Sequence, residues 1–300
     1  MDDGDEDSTA IVDLRGLSPV TRREPKDRHL LVRLNGAQIG HVTRLPQTPC
    51  RVGRGQDCEV WVNDDGISRK HARLVPHGRG YVLEDTDSAN GTFVAGQRVH
   101  RHPLSDGDLL QFGPSAVFRY AITDASQEAL LRQLFEASVT DALTGARNRE
   151  SFDMQLRSEL SYARRHKADV SLILFDVDHF KRVNDTYGHP VGDKVLIELS
   201  RTVAMTLRNE DVFARYGGEE FAIVLRGIDA AGALAVGERV RATVERLRIQ
   251  TPKSVLQVTV SVGTASLGTS YETTAEELVS AADSRLYAAK HQGRNRVVGA

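Results

Sequence analysis

At 300 residues the chain is long enough for two domains, each burying its own core. A formal net charge of -2 raises no global field that would favour a nucleic-acid polymer or an acidic membrane. No apolar run fits a membrane-spanning segment, the N-terminus does not fit a signal peptide, and two cysteines, Cys50 and Cys58, are few for a secreted scaffold. The expectation is therefore a cytoplasmic protein with buried or half-buried free thiols.

Residues 1–28 are polar and split by sign: Asp2, Asp3, Asp5, Glu6 and Asp7 first, then Arg22, Arg23, Lys26 and Arg28. Such a segment cannot bury enough apolar surface to order itself and reads as a disordered tail. From His29 to Ile122 short strand-like runs follow one another, broken by Gly, Pro, Asn and Asp. They include Leu30 to Leu34, Cys50 to Gly53, Val60 to Val62, His71 to Val75, Tyr81 to Glu84 and Val117 to Ala121. Close spacing without helical periodicity predicts an all-β sandwich over 29–122.

Within it, Gly53-Arg54, Ser68-Arg69-Lys70-His71 and Asn90-Gly91-Thr92 resemble the forkhead-associated (FHA) domain, a reader of phosphothreonine. The resemblance implies that Arg54 and Ser68 grip the phosphate through charge-assisted and hydroxyl bonds, with Arg69 as a second cation. Asn90 would then hold the peptide backbone, and His71 would support the Ser68 loop. Ala89 stands where that family often has Thr or Ser, which removes a hydroxyl. A Ser/Thr kinase is implied, and the phosphopeptide is either a phosphoprotein's or the chain's own. Thr9, followed by Ala10, Ile11 and Val12, offers apolar residues at the second and third positions beyond a phosphate. About twenty residues of tail would reach about 25 Å.

Between Ser126 and Val139 the period turns helical, with Leu130, Leu131, Leu134 and Phe135 in one stripe. This predicts a linker helix over 123–140 that either pairs with its copy or packs on its own domain. The second domain, 141–300, opens with Asp141-Ala-Leu-Thr-Gly-Ala-Arg-Asn-Arg149. Val170 to Phe175 reads as a buried strand ending at Asp176-Val177-Asp178. Two further strands, Val212 to Tyr216 and Phe221 to Leu225, flank Gly217-Gly218-Glu219-Glu220 as a hairpin. The glycines let a phosphate lie against the main chain, and the paired acids call for a cation such as Mg²⁺. Alternation alone puts Asp176 and Asp178 on one face.

Together with His179-Phe180-Lys181-Arg182-Val183-Asn184-Asp185, Gly192-Asp193 and Lys290-His-Gln-Gly-Arg294-Asn295, these motifs resemble the GGDEF family of diguanylate cyclases over about residues 140–298. The resemblance implies an α+β palm of the nucleotidyl-cyclase kind, joined to the sandwich by the helix. It also implies condensation of two GTP into cyclic di-GMP with loss of pyrophosphate. Asp176, Glu219 and the Val177 carbonyl match ligands for two Mg²⁺, with Mn²⁺ an alternative; Asp178 is left as structural. Glu219, Glu220 and Lys181 form the catalytic set, Glu220 assisting either deprotonation or metal binding. Asn184 and Asp193 match readers of the guanine edge, and Phe180, Gly217 and Gly218 line the nucleotide. Lys181, Lys290 and Arg294 supply charge for its phosphates. One site holds one GTP, so a homodimer is expected. Arg208-Asn-Glu-Asp211 has the spacing and offset of that family's product-binding inhibitory site. The competing readings are a non-catalytic cyclic di-GMP receptor and a phosphopeptide-recruited scaffold.

Overall fold

The computed structural model describes residues 25–64, 66–251, 254–267 and 272–299; Thr9 and most of the tail lie outside them. The first domain is a two-sheet β-sandwich. Its strands in chain order are β1 (Arg28–Arg33), β2 (Val42–Arg44), β3 (Cys50–Gly53), β4 (Val60–Trp61), β5 (Ala72–His77) and β6 (Gly80–Asp85). They continue as β7 (Thr92–Val94), β8 (Gln97–Val99), β9 (Arg101–Pro103), β10 (Leu109–Phe112) and β11 (Ala116–Thr123). One sheet runs β2-β1-β11-β10-β7-β8 and the other β4-β3-β5-β6-β9. Alternating residues of both sheets meet in a core that includes Leu31, Leu74, Leu83, Leu110, Phe112 and Tyr120, all fully buried. Cys50 and Cys58 are free and buried, and burial pushes the Cys50 thiol up to about 12, out of reach of nucleophilic chemistry at neutral pH.

Helix α1 (Ala125–Val139) follows directly, capped by the Asp124 carboxylate, which accepts from the Gln127 amide. Its apolar stripe is divided between two surroundings. Phe135 sets its ring edge-on to His41 of the sandwich, with centroids 5.4 Å apart. Leu130 and Leu134 are 55% and 58% exposed. Among the described residues, the helix on the β1–β2 edge finds apolar cover on one flank.

The second domain contains α2 (Arg149–His166), β12 (Val170–Val177), α3 (Phe180–Tyr187), α4 (His189–Ala204), β13 (Val212–Arg215) and β14 (Glu220–Arg226). Then come α5 (Ala230–Arg246), β15 (Ile249–Gln250), β16 (Val255–Leu256), β17 (Val260–Ser266), α6 (Ala275–His291) and β18 (Val297–Val298). Its main sheet runs β13-β14-β12-β17-β18, antiparallel except for the β17–β18 pair. Every residue of β12 is buried, because helices cover both faces. Helices α3, α4 and α5 close one core, around Phe175, Val195, Leu199 and Val240. Helices α2 and α6 close the other, around Phe152, Leu156, Leu172 and Leu286. Helix α6 lies so close on β17 that a Cβ at Gly263 would stand 2.1 Å from the Ala282 carbonyl oxygen, so only glycine fits. Among the described residues no helix is long and apolar enough to cross a membrane.

Candidate active site and phosphate-reading loops

The centre of the second domain is set by strand register. Asp176, at the end of β12, pairs with Glu220 on β14 and Ser261 on β17. The Val177 amide donates to the Glu219 carbonyl at 3.3 Å, which brings the hairpin over the strand end. Asp176 is 8% exposed, and its Oδ2 lies 2.9 Å from Lys290 Nζ, which arrives from the last turn of α6. Burial raises its carboxyl to about 6, with Glu219 and Glu220 adding to the rise and Lys290 opposing it. Three carboxylates thus crowd one strand end with a single lysine among them.

Asp178, two residues on, is spent differently. It is 5% exposed and accepts from Thr259 Oγ1 at 2.7 Å, Ser261 Oγ at 2.6 Å and the Asn295 amide at 3.1 Å. Those bonds tie β12 to the β17 end and to the turn after α6. Both oxygens of Asp178 are therefore engaged within the fold, whereas Asp176 is paired through Oδ2 with Lys290.

The hairpin is held by a residue the motif did not single out. The Arg215 guanidinium donates to the Gly217 and Gly218 carbonyls at 3.2 and 3.0 Å, and also to Asp141 at 3.1 and 3.2 Å. Burial works to raise the Asp141 carboxyl, but bonds from Thr144 and the charge of Arg215 hold it below its usual range. Asp141 is thus the anchor of a clasp. Arg149 adds a second hold, its guanidinium carbon 4.4 Å over the Tyr216 ring. The one clue in the chain is a lone arginine at the end of the apolar run before Tyr216-Gly217-Gly218.

Across the strand end, α3 starts with Phe180 and Lys181. Phe180 is 7% exposed and belongs to the core, whereas Lys181 is exposed. Asn184 lies one turn on. Its Oδ1 is buried without a hydrogen-bond partner among the described residues, and a Cβ at Gly192 would stand 1.9 Å from it. Glycine at 192 therefore makes the room for Asn184, and Asp193 beside it is exposed. Arg294 is exposed in a left-handed turn after α6, with φ 61°. At the base of β13, Asp211 Oδ2 accepts from the Arg208 amide at 2.9 Å, while its Oδ1 is buried and unpartnered. Burial raises the Asp211 carboxyl, and the Arg208 side chain reaches outward, 61% exposed.

At the loop end of the sandwich, fully buried His71 is the keystone. Its Nδ1 accepts from the Ser68 amide at 3.1 Å, and Nε2 contacts the Gly91 carbonyl at 3.0 Å. Only the tautomer protonated at Nε2 satisfies both. Ser68 Oγ accepts from the Ala89 amide at 3.1 Å, which leaves its proton to donate. Asn90 Nδ2 donates to the Gly66 carbonyl at 3.0 Å, so its carbonyl oxygen is the group left for a peptide. Arg54 and Arg69 are both exposed at this end.

A basic, hydroxyl-lined loop cluster on a sandwich and an acidic strand end under a clasped hairpin define a two-domain protein with two separate charged sites. Residues 138–296 match the family described as diguanylate cyclase, GGDEF domain, and residues 50–113 match the FHA domain. The chain belongs to the GGDEF family, with an FHA domain preceding the GGDEF domain. It is 44% identical over 131 residues to diguanylate cyclase A of Treponema denticola, covering 44% of this chain and 35% of that protein. The chain spans about a third of the length of the curated relatives it matches. Among solved structures it resembles the diguanylate cyclase SiaD of Pseudomonas aeruginosa, determined with its activator SiaC. That match has 39% identity and a TM-score of 0.53, covering 58% of this chain and 66% of that one. The coiled coil and GGDEF domain of DgcB from Caulobacter crescentus, determined with c-di-GMP, matches at 30% identity and TM-score 0.55, covering 58% and 92%.

Proposed function

We propose that the protein condenses two GTP molecules into cyclic di-GMP and that its sandwich reads phosphothreonine. The observation that carries the first half is the crowding of Asp176, Glu219 and Glu220 at one strand end, with Asp176 raised to about 6. Acids so placed call for a cation. Among the described residues no three His, Cys, Asp or Glu side chains form a ready cage. Asp176, Glu219 and the Val177 carbonyl nevertheless offer hard oxygen donors that fit Mg²⁺ or Mn²⁺. When bound there, such ions neutralise a triphosphate and stabilise the attacking and leaving oxygens. Lys290 and Lys181 add charge for the β- and γ-phosphates, and Arg294 reaches the same side. The glycines at 217 and 218 let the nucleotide approach the main chain. Glu220, on the same hairpin, assists at the 3′-hydroxyl or at the metal.

Guanine is the base that suits the unpartnered Asn184 Oδ1 and the exposed Asp193, since its N1–H and C2 amine make a donor pair, whereas adenine has an acceptor at N1 and only C–H at C2. Two loaded sites must face one another, and the exposed Leu130 and Leu134 of α1 give two copies a surface on which to pair. Arg208 and the unpartnered Asp211 oxygen suit the product, which would slow the enzyme as it accumulates. Arg54, Ser68 and Asn90 present cation, hydroxyl and amide for a phosphothreonine peptide, and phosphorylated Thr9 of the chain's own tail is one such peptide.

The test is incubation of the purified chain with GTP and Mg²⁺, followed by nucleotide chromatography, with and without phosphothreonine peptides. Appearance of cyclic di-GMP is expected. Binding of cyclic di-GMP with no turnover would reduce the protein to a receptor. Turnover unchanged by peptides that bind would leave the sandwich as a recruiting module.

A further inference from the structure

The sandwich loops do not end at the sandwich. A cavity of about 320 Å³ lies between the sandwich loops and α2, lined from the first domain by Arg54, Arg69, Trp61 and Asn63. Tyr162, Arg165 and His166 line it from the second domain. We infer that these groups form one composite anion pocket, and that a phosphothreonine peptide binds there in contact with both domains. The inference rests on the reading of the sandwich as a phosphothreonine reader and extends its site onto the cyclase domain.

Charge comes first. Among the described residues, three arginines and a histidine line the cavity together with one carboxylate, Asp57, which is paired with Arg51 at 2.9 Å. Basic residues in the last turn of a helix often serve only its dipole, and α2 ends in Arg164, Arg165 and His166. Their directions separate that role from this one. Arg164 turns away to the Thr273 carbonyl at 3.0 Å, whereas Arg165 turns to the seam and donates to Asn63 Oδ1 at 3.1 Å. Asn63 in turn donates to Ser158 Oγ at 3.2 Å. Arg165 therefore stands on the wall of the cavity facing the phosphate-reading loop.

The loop is itself tied to the seam. The Trp61 indole N–H donates to the Arg54 carbonyl at 3.2 Å, and its ring lies 5.9 Å from the Arg226 guanidinium carbon. Arg226 is paired with Glu159 of α2 at 2.6 Å and lies 5.1 Å over Tyr162. A phosphate held by Arg54 would thus sit on a frame that includes both domains, and Arg226 belongs to β14, whose other end carries Glu220. A dianion at this position would gain charge-assisted bonds from Arg165 that the sandwich alone cannot supply.

The experiment uses the full chain and phosphothreonine heptapeptides with Ile, Asp or Ala three positions after the phosphate. Binding is read by peptide anisotropy and by emission of Trp61, the sole tryptophan. Arg54→Ala should abolish binding. Arg165→Gln and His166→Gln should weaken it, the double variant by about tenfold, and Arg165→Lys should retain most of it. Thermal midpoints within a few degrees of wild type would show that the seam variants are folded. Wild-type affinity in both glutamine variants, with Arg54→Ala dead, overturns the composite pocket and leaves the sandwich reading intact. Tighter binding in those variants overturns it too, by making α2 a lid over the loops. Absence of binding by the wild type, or binding indifferent to Arg54, takes down both readings.

Discussion

The loop end of the sandwich and the strand end of the GGDEF domain gather charge of opposite sign in opposite ways. On the sandwich the cations Arg54 and Arg69 are exposed, and the polar groups behind them are satisfied by one another through His71, Ser68 and Gly91. Water solvates such cations until an anion arrives, so the frame has little repulsion to resist. In the GGDEF domain Asp176 is buried beside Glu219 and Glu220, and burial alone disfavours its charge. A site of that kind needs fixed counter-charges and a stiff frame, supplied by Lys290 and by the Arg215–Asp141 clasp. An exposed site can thus be assembled from loops, whereas a buried, like-charged one is built into sheet register.

The contrast breaks most visibly at Glu219. Glu219→Ala removes a carboxylate from the acidic end and should lower cyclic di-GMP formation by at least about a thousandfold, several kcal/mol of transition-state stabilisation. Because the side chain is not part of the core, the thermal midpoint should not fall. Asp178→Asn is the control in the same strand: it leaves buried donors unsatisfied and should cost about 1–3 kcal/mol of stability. Turnover near wild type in Glu219→Ala, or no stability loss in Asp178→Asn, would erase the distinction between the ligand-facing and the structural carboxylate.

The stiffness of the frame is tested at Arg215. Arg215→Ala frees the Gly217 and Gly218 carbonyls and should lower turnover by about a hundredfold, the scale of a 1 Å misplacement. Arg215→Lys should not restore it, since an ammonium cannot span two carbonyls and a carboxylate in one plane. Full activity in Arg215→Ala would mean that strand register alone places Glu219.

How much of this could be read beforehand follows the same division. Strand runs such as Val170 to Phe175 and the hairpin strands were legible because apolar alternation and glycine punctuation are local signals, and the two domain classes followed from them. Asp176 and Asp178, equivalent by alternation, separate only when Thr259 and Ser261 of another strand claim one of them. Arg215 was passed over because its partners, Asp141 and the turn carbonyls, become neighbours only through the Arg147–Ala214 bridge. The Leu130–Leu134 half of the α1 stripe was expected to pair with a copy or pack on its own domain, and the described residues leave it exposed. The seam through Trp61, Asn63 and Arg226 had no signal at all, since it joins residues about a hundred or more positions apart whose types are common on any surface.

A smaller effect is expected at the opposite end of the sheet from Asp176. Arg208→Ala should raise the cyclic di-GMP concentration needed for half-inhibition by about tenfold, because one charge-assisted guanidinium contact is lost. Basal turnover should hold, as Arg208 lies away from Asp176 at the base of β13. Progress curves at rising product would settle it, and identical inhibition in variant and wild type would leave Arg208 as a surface residue.

The smallest effect sharpens the comparison from the sandwich side. Burial lowers the His71 imidazole below 6.5, with the Gly91 carbonyl and Asp85 opposing. Its Nδ1 must stay unprotonated to accept from the Ser68 amide, so charging it breaks the keystone. A histidine whose folded value is depressed is neutral in both states above 6.5, where it leaves stability independent of pH. Below 6.5 the unfolded chain takes up the proton first, and stability falls by at most about 1.4 kcal/mol per pH unit until the folded value is reached. His29 and His41 are lowered by burial as well and add to the slope. Trp61 emission reports the sandwich at its seam with the second domain, and its midpoint can be followed between pH 7.5 and 5.5. His71→Gln should start lower at pH 7.5 and decline less steeply. Phosphopeptide affinity should fall with the wild-type curve, since Ser68 is the group that His71 holds. An unchanged slope in His71→Gln would mean that His71 keeps its ordinary protonation on folding, and the Ser68 loop would then owe its shape to the Ala89 and Asn90 bonds alone.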